Sequence, residues 1–282
     1  MTQLCPAALS EQTRAVIRFK FMPTPSAPLH VGHAWLLFVM DTLATKAREQ
    51  GHVAEVLLVI DRLMAGIQGL DEERMASNAD AIVRDIDHLG IVLDAIAYND
   101  RDPQAVDRCR RDPGFANVPS LLPAPLTPAH YFSLCSPNYF LNNAILDSVL
   151  GITHILRGAD QFHNVGIYRN VYALLGLTPP SLLYLPLLLN RDQNKISSGT
   201  AFILSEVLKN MTPDELFCAL VSACMARAAD APVPSNRAQA QLLLLGEDWT
   251  FVLASSGSGD PALQSAFLSR LNPQPIIDLS NE

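Results

Sequence analysis

Short, nearly continuous apolar runs alternate along the chain with longer segments whose apolar positions recur every three or four residues. The first run, RAVIRFKF from Arg14 to Phe21, predicts a strand, and the segment from His33 to about Arg48 predicts a helix that stops near Gly51. VAEVLLVI, Val53 to Ile60, predicts the next strand. Leu70 to Gly90 reads as a helix with acids in its first turn and an apolar stripe of Met75, Ala79, Ile82, Val83 and Ile86. From Tyr98 to about Ala129 the pattern breaks up among Pro, Arg and Asp. It resumes as a helix from about Asn138, a strand in THILRG (Thr153 to Gly158), a helix from Asp160 to Gly176 and a strand in LLYLPLLL.

Strand, crossover helix, strand is the order of a parallel sheet buried on both faces. The expected fold is therefore α/β, a Rossmann-like doubly wound parallel sheet in two halves, 1–97 and 137–200, separated by a short insertion over 98–136. Ligands in such sheets bind beyond the carboxyl ends of the strands, where the helices begin. The remainder, 201–282, reads as a small helical region. Within it TPDELFCALVSACMARAA carries Thr212 as cap, Pro213 at the first helical position and Glu215 completing a capping box.

Composition narrows the function classes. With 282 residues and 49% apolar content the chain can bury a core without staples. Cys5, Cys109, Cys135, Cys218 and Cys224 are scattered with no CxxC pair, so neither a disulfide framework nor a structural zinc site is expected, and a reducing, cytoplasmic setting is. The start lacks a basic, then apolar leader, and no apolar run approaches the ~20 residues that span a bilayer. A formal charge of -8 is a poor background for a broad nucleic-acid footprint.

Two stretches carry chemistry. In FMPTPSAPLHVGHAW, Phe21 to Trp35, a proline-stiffened loop follows a strand and His30-Val31-Gly32-His33 opens a helix. Two imidazoles at a helix start, beside backbone N–H groups that the helix leaves unsatisfied, can hold phosphate oxygens, while Gly32 lets a nucleoside approach the backbone. The second stretch, NRDQNKISSGTA (Asn190 to Ala201), is a polar loop after an apolar strand, with Lys195, Ser197, Ser198 and Gly199 suited to closing on phosphate charge.

Taken together, PTPSAPLHVGHA and NKISSG resemble the HIGH and KMSKS signatures of class I aminoacyl-tRNA synthetases. GITHILRGADQFHNVGIYRNVYALLGLTPPSLLYLPLLLNRDQNKIS resembles the glutamyl/glutaminyl branch. The resemblance implies binding of ATP with Mg2+ and activation of a carboxylic acid as an acyl-adenylate. It implies His30, His33 and Lys195 as catalytic groups. Thr24, Gly32, Arg157, Gly158, Ile196, Ser197 and Ser198 would join them around the nucleotide. It also implies an amino-acid pocket of Lys20, Met22, Thr24, Asp61, Tyr139, Asn143 and Arg157, in which Lys20 stands where the branch has an arginine. Two cations there suit a carboxylate head group.

Departures from the branch shape the expected function. The Arg-Ile-Glu-Asp-Thr-Asp segment that holds the α-ammonium is replaced by VIDRLMAGIQGLDEER, with Asp61 one methylene shorter than the glutamate. Ser198 replaces the second lysine of the signature loop, and the insertion is too short for the usual acceptor-stem domain. The sequence therefore leads us to expect tRNA-independent activation of an acid and its transfer to a small-molecule or carrier nucleophile, with no membrane partner. The alternatives are a synthetase of the kind that glutamylates the queuosine base of a tRNA and a non-catalytic synthetase-like regulator.

Overall fold

The computed structural model describes residues 15–62, 65, 69–99, 137–190, 194–196, 202–225 and 233–245. Its first half runs β1 (Val16–Phe21), α1 (Val31–Glu49), β2 (Val53–Ile60), α2 (Glu72–His88) and β3 (Ala95–Tyr98). The second half runs α3 (Pro137–Leu150), β4 (His154–Gly158), a 3-10 turn over Ala159–Asn164, α4 (Val165–Leu174) and β5 (Ser181–Leu185). Three helices follow: α5 (Leu204–Val207), α6 (Pro213–Cys224) and α7 (Arg237–Leu245).

Among the described residues the five named strands pair in parallel, in the order β3-β2-β1-β4-β5. The expected doubly wound sheet is thus present. The chain winds outward from β1 through β2 to β3 and outward again from β4 to β5, so the β1–β4 junction is where strand order reverses and a crevice opens at the carboxyl ends. Gly51, at φ 84°, turns α1 directly into β2, a left-handed conformation that glycine adopts without a Cβ clash.

Side chains alternate across the sheet and feed two cores. Val56, Leu58 and Ile60 join the cluster with Ile17, Phe19, Phe21 and the buried face of α1, while Leu57 joins Phe140, Leu141, Ala144, Ile155, Tyr168 and Tyr172 on the other side. The helices after β5 do not stand apart, because Leu216, Phe217, Leu220, Val221, Ala240 and Leu244 belong to the first cluster. Phe38 of α1 stacks on Phe217 of α6 with ring centroids 4.6 Å apart. The capping box expected at α6 is present, with Glu215 N donating to Thr212 Oγ1 and Thr212 N donating to Glu215 Oε2 at 2.8 Å.

Two elements differ from expectation. β3 was hidden by its brevity and exposure, since Ala95, Ile96 and Tyr98 are all exposed and leave no alternation to detect. The segment after β4 starts as a 3-10 turn and becomes α-helical only at Val165. Most of the insertion and everything beyond Leu245 lie outside the described residues.

Candidate active site

The loop leaving β1 is held from two sides before it reaches the histidines. Asp61 N donates to Pro23 O at 2.9 Å, and Asn78 Nδ2 of α2 donates to Pro25 O at 3.0 Å. Met22 and Thr24 are half-buried in this loop. His30 then caps α1: Gly32 N donates to His30 Nδ1 at 3.1 Å, and His30 N donates to His33 Nδ1 at 3.3 Å. The pair makes a capping box of two histidines, their rings 3.8 Å apart.

This corrects the expectation of open backbone donors at the helix start. Val31 N donates to Phe202 O, Gly32 N to the His30 ring, and His33 N and Ala34 N to His30 O. What remains for an anion is the imidazoles themselves. Each Nδ1 accepts a backbone proton, which places the ring N–H on Nε2 in the neutral tautomer. Burial, and then the charge of Lys195, hold His30 down at about 4. Burial, His30 and Lys195 hold His33 down at about 3. Both rings are neutral donors near pH 7.

Gly32 has a local reason as well as an implied one. A Cβ there would lie 2.8 Å from His30 Cε1 and 2.9 Å from His30 Nδ1, so only glycine lets that ring fold back over the helix start. The same Cβ would lie 3.8 Å from Ile196 O, which shows the signature loop passing beside the cap.

That loop is stitched down at both ends. Leu189 and Lys195 form an antiparallel bridge, Ile196 N donates to Leu188 O at 2.9 Å, and His30 bridges Ile203. Lys195 is exposed and its Nζ lies 2.5 Å from Asp160 Oδ2. Ile196 is buried, while Ser197 and Ser198 lie outside the described residues. A Cβ on Gly158, ending β4, would sit 2.6 Å from Asp160 Oδ1 and 2.9 Å from Leu187 Cδ2, so those two side chains would have to swing aside. Asp160 went unnoticed in the sequence, although its place just past a strand end was the available signal.

Across the switch point, Arg157 of β4 is half-buried, its guanidinium 4.5 Å from the centroid of the Tyr168 ring and hydrogen-bonded to Tyr168 Oη. Lys20 is only 3% exposed and does not reach out as a second cation. Its Nζ is ion-paired to Asp147 and donates to Asn143 Oδ1 at 2.9 Å. Burial pulls its pKa below the usual lysine range, against the opposing pull of Asp147. Asn143 Nδ2 donates to Tyr139 O at 2.9 Å, and Asp147 Oδ2 accepts from Tyr172 Oη at 2.5 Å. Asp61 is buried at the exit of β2, its Oδ1 accepting from Asn99 Nδ2 at 3.0 Å. Asp147, Tyr168 and Asn99 were not singled out in the sequence.

The crevice thus presents neutral imidazole donors, a lysine parked on a carboxylate and a guanidinium on the adjoining strand. Among the described residues no three His, Cys, Asp or Glu side chains gather to hold a metal ion. Nor is any described helix long and apolar enough to cross a membrane.

Residues 133–231 match the family model of the class I tRNA synthetases (E and Q), catalytic domain. Over that segment the chain is similar to the glutamyl/glutaminyl branch of the class I synthetases. It is similar to glutamate–tRNA ligase 2 of Granulibacter bethesdensis, 30% identical over 107 residues, which are 38% of this chain and 23% of that protein. The glutamate–tRNA ligase of Ectopseudomonas mendocina is 41% identical over 61 residues, 22% of this chain and 12% of that protein. The matches therefore span less than a quarter of the length of these relatives. In fold, the glutamate–tRNA synthetase of Elizabethkingia anophelis superposes with a TM-score of 0.56 at 14% identity, covering 89% of this chain and 69% of that one. A glutamate–tRNA ligase from Elizabethkingia meningosepticum, in complex with its amino acid, gives 0.54 at 14% identity over 89% and 68%.

These kinships overturn one expectation. A small-molecule or carrier acceptor in place of tRNA was inferred from the acidic charge and the short insertion, whereas the curated relatives described above are ligases that join glutamate to tRNA. Net charge summed over a whole chain is a weak guide to one binding face, because exposed charges more than about 10 Å apart are screened from each other.

The neutral histidines predict how stability follows pH. Their folded pKa values, about 4 and about 3, lie below the ordinary 6.5, so between those limits the unfolded chain binds protons that the folded chain refuses. Stability from this source is complete above 6.5, drains away as pH falls through that window, and is gone near pH 3. The urea midpoint is expected to fall between about pH 7 and about pH 5 more steeply than in a His30→Asn/His33→Asn variant, whose amides can still cap. Equal slopes would refute the assignment.

Proposed function

We propose that this chain activates glutamate with ATP, forming glutamyl-adenylate and pyrophosphate, and passes the glutamyl group to a tRNA. ATP supplies the leaving pyrophosphate: a carboxylate oxygen of the amino acid bonds to the α-phosphorus as the bond from that phosphorus to the bridging oxygen breaks. The Nε2–H groups of His30 and His33 then donate to phosphate oxygens as charge builds. Lys195 exchanges Asp160 for the departing pyrophosphate. Mg2+ would arrive on the phosphates, since three carboxylate or imidazole ligands do not gather among the described residues.

In the same reading Arg157 faces the substrate's side-chain carboxylate, and Asp61 at the end of β2 faces its α-ammonium. Thr24 and Met22 line the loop between the two subsites, Gly158 marks the strand end beside the phosphates, and Tyr139 closes the amino-acid end. Ser197 and Ser198 would complete the nucleotide loop.

The observation that carries the proposal is the meeting of the histidine cap with the Lys195 loop at the β1–β4 switch point, in a chain matching the E and Q catalytic domain. ATP–pyrophosphate exchange with glutamate, with and without bulk tRNA, tests the first half. Labelled glutamate recovered on tRNA tests the second, and nuclease digestion tells whether it sits on the terminal adenosine or on an internal modified nucleoside. Exchange absent under both conditions would sink the activation step, and exchange without any labelled tRNA would sink the acceptor.

A further inference from the structure

Lys20 and Arg157 feel each other's charge across the switch point, yet they are held differently. Asn143 and Asp147 lie four residues apart on α3, and both converge on the Lys20 ammonium from one helix face. The side chains of Lys20 and Asp147 are 2% and 1% exposed, and Tyr172 donates to the second oxygen of Asp147. Arg157 is half-buried and gives one N–H to Tyr168, which leaves a guanidinium with several donors.

A buried ammonium held this way by a buried carboxylate has little field left for a ligand. Removing only one of the two, however, leaves a charge in a low-dielectric place beside Arg157. We infer that Asp147 is a specificity-determining residue: it neutralises Lys20 internally, so that the side-chain carboxylate of the substrate is met by Arg157 alone. Lys20 is then a positioning residue that keeps Asp147 from neutralising Arg157. The inference rests on reading the crevice as an amino-acid activation site, and it removes Lys20 from direct contact with the acid.

The test compares the full-length wild type with K20M and K20M/D147N, measuring KM for glutamate and for ATP in pyrophosphate exchange, with tRNA present, and Kd for glutamate by calorimetry. K20M is expected to raise the glutamate KM about tenfold or more with ATP KM within about twofold, because the orphaned carboxylate now opposes Arg157. Adding D147N to K20M is expected to recover most of that loss, which a merely structural role for either residue would not do. A double variant as impaired as K20M, or K20M with no effect, overturns the inference, since the first shows Lys20 gripping the acid itself. Should K20M fail to fold, the double variant decides alone: a glutamate KM up about tenfold refutes the inference, and a rise below about threefold is the expected result. Wild type that binds glutamate without exchanging pyrophosphate would defeat the activation reading, and the same comparison is then read from Kd. Wild type that binds no glutamate overturns the inference itself.

Discussion

Lys195→Ala is expected to slow ATP–pyrophosphate exchange by about 10²–10³-fold while leaving the urea midpoint unchanged. The side chain is 45% exposed and its one described ion pair, to Asp160, is half in solvent, so little stability is at stake. Under the proposed activation its catalytic weight would be different, because an ammonium that meets charge only as pyrophosphate departs lowers the barrier by about 3 kcal/mol without tightening the ground state. The loss should therefore fall on kcat more than on the KM for ATP. Lys195→Arg, which keeps the cation, should recover part of the rate. An alanine variant with wild-type exchange would remove this loop from the chemistry.

Phe217→Ala is expected to cost about 3–5 kcal/mol of folding stability. The ring is 1% exposed, stacks on Phe38 and belongs to the same core as β1 and α1, so its removal opens a cavity that rigid neighbours on both sides cannot close. Marginal stability of ordinary domains makes such a loss enough to unfold much of the population at moderate urea. Denaturant titration measures it. A shift below about 1 kcal/mol would mean that α6 is peripheral and that α1 keeps its place without it.

Much of the architecture was readable because burial imposes a period. β1, β2 and β4 are short apolar runs, α2 shows its stripe at Met75, Ala79, Ile82 and Ile86, and the α6 cap is written in Thr212-Pro213-Asp214-Glu215. β3 has no such period, as its residues are exposed on both faces. The candidate site was legible as a set of residue types and not as a set of contacts. His30 and His33 could be picked out, but their capping of α1 depends on backbone angles that residue types do not encode. The Lys20–Asp147 pair joins a strand to a helix far along the chain, and Asp147 lies within an unremarkable helical pattern. Pairing at that separation follows from topology, which no local window reports.

The bridges at Leu189–Lys195 and His30–Ile203 have a mechanical consequence. Lys195 is tied through its main chain to Leu189 and His30 to Ile203, so a displacement of either backbone carries its bridged neighbour along. If these groups handle a nucleotide as proposed, freedom to admit and discharge it has to come from side chains such as Lys195 swinging off Asp160.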